Sequence, residues 1–565
     1  MNWDLEYDVV VVGSGASGFA AAITAKNEEL NTLLIEKETY FGGASALSGG
    51  GIWIPNNRYL VEAGAADSYE EAKTYLDATV GNAVAEDVKE AYLKRGIEML
   101  DYMHDLSPFM RFSYAKNYSD YYPALPGGKG TGRSIEPLLF DLNELGDWKD
   151  KLLPPTIDTK GFVMTGQDFV KVNMISRTTV GKIRSLRLGW RLMQHLVMKK
   201  NFAALGQALI ARLALTYKKI QGEISLSTAF VDFVYDNDQI VGIEVIKDGK
   251  SLFIKAEHGV IFASGGFSRS QEYREKFLPA PQNADWTSSP EGQTGDIIAP
   301  FGKLHAKFGL MDKVWGAPTI IDHTGRPFFL VADRGIPNMI IVDQDGKRYI
   351  NEPTPYHEFV DKMYEHNEAT GGKAITSWII LDGRAKSRYL FAGLFPMQDF
   401  PKDYYNNQIV FKAENIADLE RQLNIPFGNL QKTIERFNGF ARNGEDLDFH
   451  RGETPHDKYY GDPTLKNPNL LEINSAPFYA LKVYPGDIGT KGGVVIDRDG
   501  RVIREDGTAI EGVYACGNCS ASVMGTAYPG PGATLGPGMT FGYLAALDCK
   551  VNKALAKSKI NYAEV

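Results

Sequence analysis

The run Asp8-Val-Val-Val-Val12-Gly13-Ser14-Gly15-Ala16-Ser17-Gly18, followed by Thr32-Leu-Leu-Ile35-Glu36-Lys37, decides the fold. An unbroken apolar stretch reads as a strand buried on both faces, the mark of a parallel sheet. Gly13, Gly15 and Gly18 then have the spacing of a tight turn that opens a helix reaching about Lys26, and Thr32 to Ile35 reads as the next strand. Glu36 follows the glycines by about 20 residues, where an acid can accept from a ribose hydroxyl, and a helix N-terminus suits a pyrophosphate. The pattern predicts a Rossmann-like α/β nucleotide-binding domain whose cofactor residues include Gly13, Ser14, Gly15, Ala16, Ser17, Gly18, Glu36 and Lys37.

The next segment, Phe41-Gly42-Gly43-Ala44-Ser45-Ala-Leu-Ser48-Gly49-Gly50-Gly51, narrows the cofactor. A nicotinamide domain has no use for it, whereas small residues and hydroxyls can track the long pyrophosphate, ribityl chain and tricyclic ring of a flavin. Gly43, Ala44, Ser45, Ser48, Gly49, Gly50 and Gly51 therefore join the expected flavin site. Two distant segments return to it: Gly259-Val-Ile-Phe-Ala263-Ser-Gly265, a strand expected to close the sheet beside the cofactor, and Gly512-Val-Tyr-Ala-Cys516-Gly517-Asn518, a short strand and turn.

Near the C-terminus, Gly525-Thr-Ala-Tyr528-Pro-Gly-Pro-Gly532-Ala-Thr-Leu-Gly536-Pro-Gly538 sets one phenol among glycines before a helix-like run, Met539 to Leu547. Glycine lets a backbone N–H approach a ligand where a Cβ would clash. Tyr528 and the Gly532 N–H are therefore placed to share one oxygen, an oxyanion hole for a carbonyl substrate. Gly536 belongs with the cofactor residues.

With 565 residues the chain is too long for one ordinary domain. Its 61 basic and 70 acidic residues give no general attraction to nucleic acid, and its three cysteines point to a reducing, cytoplasmic setting. The N-terminus lacks the basic and apolar regions of a signal peptide. Cys516 and Cys519 form a C-x-x-C spacing, but no second pair or nearby histidine completes a metal set, so two buried thiols are the expectation and no metal is expected.

Between Asp168 and Glu223 lie eleven Lys or Arg and no acid. Ile183, Leu186, Trp190, Met193 and Val197 recur at helical spacing while Arg184, Arg187 and Arg191 occupy another face, and Leu205, Leu209 and Leu213 form a second stripe. The expectation is a basic insertion at about 170–222 whose cations meet no internal acids and which lies on the inner face of the cell membrane. Aromatic, proline-rich character from about Asp312 to Tyr479 marks an inserted α+β catalytic domain at 313–479, with 1–312 and 480–565 forming the flavin domain and the active site at their junction.

Taken together, the chain resembles the 3-ketosteroid Δ1-dehydrogenases of the fumarate reductase and succinate dehydrogenase flavoprotein group, in a long, membrane-associated form. The likeness rests on Gly43-Ala-Ser45 with Ser48-Gly49-Gly50, Asn351-Glu352-Pro-Thr-Pro-Tyr356, Asp487-Ile-Gly489-Thr-Lys-Gly492-Gly493 and Tyr528-Pro-Gly-Pro-Gly532. It implies noncovalent FAD, loss of hydrogens from C1 and C2 of a 3-ketosteroid A ring, and an external electron acceptor such as a quinone. It also implies that Tyr528 and Gly532 hold the C3 carbonyl and that Tyr356 is the general base. A third tyrosine comes from Tyr118-Ser-Asp120-Tyr121-Tyr122, with Tyr121 chosen because it follows Asp120 and its neighbours left open.

Three rival readings differ in class. Some relatives desaturate C4–C5 of 5α-steroids. A fumarate-type reductase needs converging arginines and a histidine, and no His-rich or Arg-rich cluster is expected beside the Tyr356 or Tyr528 motifs. A flavin-containing membrane adaptor would leave the phenol-glycine loop without purpose.

Overall fold

The computed structural model describes residues 2–156, 161–237 and 239–563. Strand β1 (Leu5–Val12), helix α1 (Ala16–Asn27) and strand β2 (Thr32–Ile35) form the expected unit, with β1 and β2 parallel. The close turn is enforced sterically, since a Cβ on Gly18 would sit 1.8 Å from the Gly13 carbonyl oxygen. Strand β3 (Lys250–Phe262) lies parallel to the other edge of β1, and β4 (Ala509–Ala515) lies parallel to β3. Chain segments some 500 residues apart thus meet in one sheet. Arg501–Ile503 pairs with β4 beyond it, and Glu223–Ser225 with β2 at the opposite side.

One sequence expectation changes here. The strand ending at Ala263 does not close the sheet; it is internal, flanked by β1 and β4. Ahead of it the chain reverses at Asp248-Gly249, both residues with positive φ. Three strands result, and the first half of β3 carries an antiparallel extension of Gln239–Lys247 and Thr228–Asp236.

The basic insertion departs most from expectation. Helix α2 (Thr179–Met198) forms, and its outward face exposes Ile183, Leu186, Trp190, Met193 and Val197, with Leu186 76% and Trp190 63% exposed. Its inward face carries Arg184, Leu188 and Arg191. Both arginines pair with the buried carboxylate of Asp168, at 2.8 and 2.6 Å, while Leu188 packs with Val172 and Leu390. Arg177 pairs with Asp462, Lys200 with Asp141 and Lys218 with Asp147. The expectation that these cations meet no internal acids is therefore wrong, because acids outside the counted window reach in. Helix α3 (Leu205–Lys219) is also no surface element, since Leu209 and Leu213 are fully buried and Arg212 donates to the Leu138 and Leu139 carbonyls. No helix among the described residues is long and apolar enough to cross a membrane.

A second, antiparallel sheet joins Met339–Val342, Ser377–Asp382, Phe478–Val483 and Val410–Ala413. Alternate residues serve two cores. Ile340, Val342, Trp378 and Ile380 pack on the helices Ile416–Leu423 and Asn429–Asn443, while Met339, Ile341, Ile379 and Leu381 pack on helix α4 (Tyr356–Ala369) through Phe359 and Met363. Period-2 alternation with both faces covered is what a buried strand requires. The long terminal helix α5 (Leu535–Ala563) packs along α1, so the Tyr528 loop ends where the first βαβ unit begins.

Candidate active site

The residues expected to hold the cofactor gather around the ends of β1, β3 and β4. Glu36 is half-buried and its carboxylate accepts from the Ser14 N–H and hydroxyl, at 3.0 and 2.5 Å. Burial pushes its pKa up, against these hydrogen bonds. Ser45 Oγ accepts from the Ala16 N–H at 3.1 Å, which joins the second glycine-rich segment to the start of α1. Ser48 Oγ donates to the Ser45 carbonyl and accepts from the Gly50 N–H. Side chains added at Gly43 or Gly49 would meet nothing within 4 Å, so the backbone there faces open space. Ala263 closes on β1 through its N–H to the Val12 carbonyl, and Gly265 lies tight against Gln293. Lys37, expected beside the cofactor, is committed to Thr294 and Asp296.

A neighbouring cavity is lined by Trp315, Gly517, Asn518, Thr534 and Gly538. Trp315 Nε1 donates to Asn518 Oδ1 at 3.1 Å. Gly51 faces Pro531, and Gly536 backs onto the Trp53 carbonyl. An open backbone groove at Gly43 and Gly49, a neighbouring cavity, and a carboxylate one strand after the first glycines fit FAD. Cys516 and Cys519 lie beneath it as buried free thiols, and burial raises both above the ordinary thiol range.

Beside this groove three phenols converge. Tyr121, Tyr356 and Tyr528 meet edge to face in every pair, with centroids 5.4, 5.1 and 5.3 Å apart. The Tyr121 hydroxyl donates to the Tyr356 hydroxyl at 2.7 Å. Of the other two candidates in that loop, Tyr122 turns to His357 Nε2 at 2.9 Å, while Tyr118 stacks on Tyr459 and lines the same cavity as Tyr356, where it also bonds to Tyr121. Burial drives the Tyr356 pKa well above the ordinary phenol value, the nearby Tyr528 and Tyr118 add to this, and the Tyr121 hydrogen bond opposes it. Tyr528 is raised by burial and eased by Thr534.

Gly532 has φ +97, and a Cβ there would lie 2.5 Å from the Gly51 carbonyl, so only glycine fits. Its carbonyl accepts from the Trp53 and Gly536 N–H groups, while no acceptor among the described residues takes its own N–H. A backbone N–H without a protein partner is free to donate to a ligand.

The supports are buried and polar. The Pro529 carbonyl accepts from the Tyr121 N–H and the Tyr75 hydroxyl, which ties the Tyr121 loop to the Tyr528 loop. Asp120 accepts from Trp53 Nε1 at 2.9 Å and pairs with Arg133. Arg334 donates to the Glu352 and Thr354 carbonyls at 2.6 and 2.9 Å, clamping the chain just before Tyr356. Glu352 itself is buried between Arg348 and Arg451; burial works against its charge, but the two guanidiniums hold its pKa low.

These neighbours correct another expectation. His357, His456, Arg334 and Lys491 do gather around the tyrosines, although no such cluster was expected. They are not a dicarboxylate clamp. Burial, reinforced by Lys491, holds His357 well below the ordinary range, burial with Arg334 lowers His456 to about 3, and Arg334 is bound to carbonyls.

Residues 8–535 match the FAD binding domain family. The chain is 44% identical over 562 residues to a 3-oxosteroid 1-dehydrogenase of Mycolicibacterium smegmatis, covering 98% of each. It is 43% identical over 552 residues to one of Mycobacterium tuberculosis strain H37Rv, covering 96% of this chain and 98% of the other. The chain belongs to the FAD-dependent 3-oxosteroid 1-dehydrogenase family. A solved member, the 3-ketosteroid delta1-dehydrogenase from Sterolibacterium denitrificans in complex with 1,4-androstadiene-3,17-dione, superposes with a TM-score of 0.90 at 36% identity, over 97% of this chain and 99% of that one. As a member of this family the protein is an FAD-dependent oxidoreductase.

Around the candidate site, the sequence reading missed Trp315, Arg334, His456, Lys491 and Tyr75. Only Lys491 lay inside a quoted motif, and His357 was visible as the neighbour of Tyr356. The remainder reach the site through tertiary contacts that no local pattern announces.

Proposed function

We propose that the protein oxidises the A ring of a 3-oxosteroid to the 1,2-ene, with Tyr528, Gly532, Tyr356 and Tyr121 as its working groups. The observation that carries this reading is the 2.7 Å Tyr121–Tyr356 hydroxyl bond set beside Tyr528 and the unpartnered Gly532 N–H. The Tyr528 hydroxyl and Gly532 N–H donate to the C3 ketone oxygen, which gains negative charge as a C2 proton leaves; removing one such donor commonly costs about 100- to 1000-fold in rate. Tyr356, as phenolate, accepts that proton. Tyr121 donates to the phenolate and so lowers the energy of the deprotonated base. The C1 hydrogen then departs with its electron pair. Bound FAD supplies the two-electron acceptor, and an external acceptor of the quinone class restores it.

The residues at 313–479 serve in this reading as the catalytic unit and those at 1–312 and 480–565 as the flavin unit, with the tyrosines at their junction. Helix α2 supports peripheral contact with the inner face of the cell membrane, on grounds different from the net charge of the insertion. Its apolar row faces outward, and Lys182, Arg187 and Lys199 are exposed beside it, the arrangement of a helix lying in a lipid interface. A steroid that partitions into lipid would then meet the enzyme there.

Turnover of a 4-ene-3-oxosteroid with a quinone-class acceptor tests the main reading. Loss of two hydrogens and a new pair of vinyl protons at C1 and C2 by NMR is the expected product. Unsaturation elsewhere in the ring, or none, overturns it.

A further inference from the structure

Lys491 closes the strand Asp487–Thr490 and is 1% exposed. Its Nζ donates to the carbonyl oxygens of Thr526 and Ala527, at 2.6 and 2.8 Å, and lies 4.5 Å from the centroid of the Trp315 ring. Among the described residues no carboxylate forms an ion pair with it. Burying an amine without a counter-charge is costly, and an apolar side chain of similar length would fill the same space. What an apolar side chain could not do is satisfy those two carbonyls, for which no other donor is present among the described residues.

The carbonyl of Ala527 belongs to the peptide plane that carries the Tyr528 nitrogen, so Lys491 fixes the plane from which the Tyr528 side chain starts. A second path runs through Trp315. The ring on which the Lys491 amine rests packs edge-on against Tyr528 at 4.6 Å and is itself held by Asn518. The amine is anchored in turn, since its own backbone N–H donates to the Lys313 carbonyl and its carbonyl accepts from the Ser522 N–H. Burial pulls its pKa down to about 7, against the field of Asp361, and both protonation states carry N–H donors enough for two carbonyls.

We propose that Lys491 is a positioning residue for Tyr528, holding the phenol at the height from which it reaches the ketone oxygen. The inference rests on the reading of Tyr528 as a ketone donor. Lys491 touches neither Tyr356 nor Tyr121, so its influence falls on the carbonyl-holding half of the site and not on the proton-accepting half.

A double-mutant cycle on the FAD-loaded full-length enzyme tests this, with steroid affinity read from the perturbation of flavin absorbance. Lys491→Met is expected to weaken binding of a 4-ene-3-oxosteroid roughly ten-fold in the parent, because two buried carbonyls lose their donor and the loop relaxes, and less than about two-fold in a Tyr528→Phe background. Flavin content should stay at the parental level. An equal loss in both backgrounds means that Lys491 acts without Tyr528 and overturns the inference while leaving the Tyr528 reading intact. Undiminished binding by Tyr528→Phe alone overturns both. Should Lys491→Met fail to fold, Lys491→Gln, whose shorter side chain falls short of both carbonyls, replaces it; a loss of about three-fold is expected in the parent and none in the Tyr528→Phe background, and an equal change in both overturns the inference.

Discussion

The Tyr121 hydroxyl donates to the Tyr356 hydroxyl across 2.7 Å, and both rings are buried away from any cation that bonds to them directly. A phenol in such a place resists ionisation, since burial penalises the anion. Among the described residues Tyr121 is the group that donates to a Tyr356 phenolate, and Arg334, in the same cavity, adds an attractive charge.

The pH profile follows from this sign. With Tyr356 raised above its ordinary value of about 10, the active phenolate is a minor species at neutral pH and grows as protons are removed. The rate should rise toward alkaline pH. Tyr121→Phe removes the interaction that lowers the Tyr356 pKa, so the rising limb should move to higher pH and the rate at neutral pH should fall. A limb unmoved by Tyr121→Phe in kcat/KM profiles would mean that Tyr121 does not assist the base.

Tyr356→Phe and Tyr528→Phe should separate binding from chemistry. The first removes the base and leaves both ketone donors, so steroid affinity should change little while turnover is largely lost. The second removes a donor to a buried oxygen, and should weaken binding by about 1 to 3 kcal/mol and slow turnover as well. Titration of flavin absorbance with steroid gives the first quantity and initial rates the second.

FAD should be held without a covalent bond. The cavity lined by Trp315, Asn518, Thr534 and Gly538 presents no histidine or cysteine, and the two thiols beneath it are raised by burial away from the reactive thiolate form. Acid precipitation should release all of the yellow chromophore into the supernatant.

Membrane contact through α2 should depend on its apolar row. Replacing Leu186, Trp190 and Val197 with Ser should reduce sedimentation with anionic vesicles and leave turnover of detergent-solubilised steroid unchanged. Arg184→Glu or Arg191→Glu should behave differently. Either leaves the buried Asp168 carboxylate facing a like charge, with a cost on the order of 3 to 5 kcal/mol, and should lower the melting temperature. Vesicle binding that survives loss of the apolar row would end the membrane proposal.

The βαβ unit was legible because its signals are local: an apolar run, glycines at fixed spacing and an acid one strand later. Tyr528 and Gly532 were legible for the same reason. The supporting groups were not, since His456 comes to Tyr121 from over 300 residues along the chain and Arg334 acts on carbonyls, which carry no sequence identity. The misread insertion is instructive in the same way. Asp168, which bounds the acid-free window, is itself the residue that neutralises Arg184 and Arg191. Periodicity identified the apolar row of α2, but it grouped Arg187 with Arg184 and Arg191, and only the latter two turn inward to Asp168.

The central claim, that Tyr356 takes the proton whose loss lets the C1 hydrogen leave, is tested most directly by anaerobic mixing of a 4-ene-3-oxosteroid with the parent and with Tyr356→Phe. The account predicts that the parent loses its flavin absorbance in one turnover and yields the 1,2-ene, while Tyr356→Phe shows the absorbance shift of steroid binding and then stays oxidised. Bleaching of the Tyr356→Phe flavin at a rate within a few-fold of the parent would contradict it.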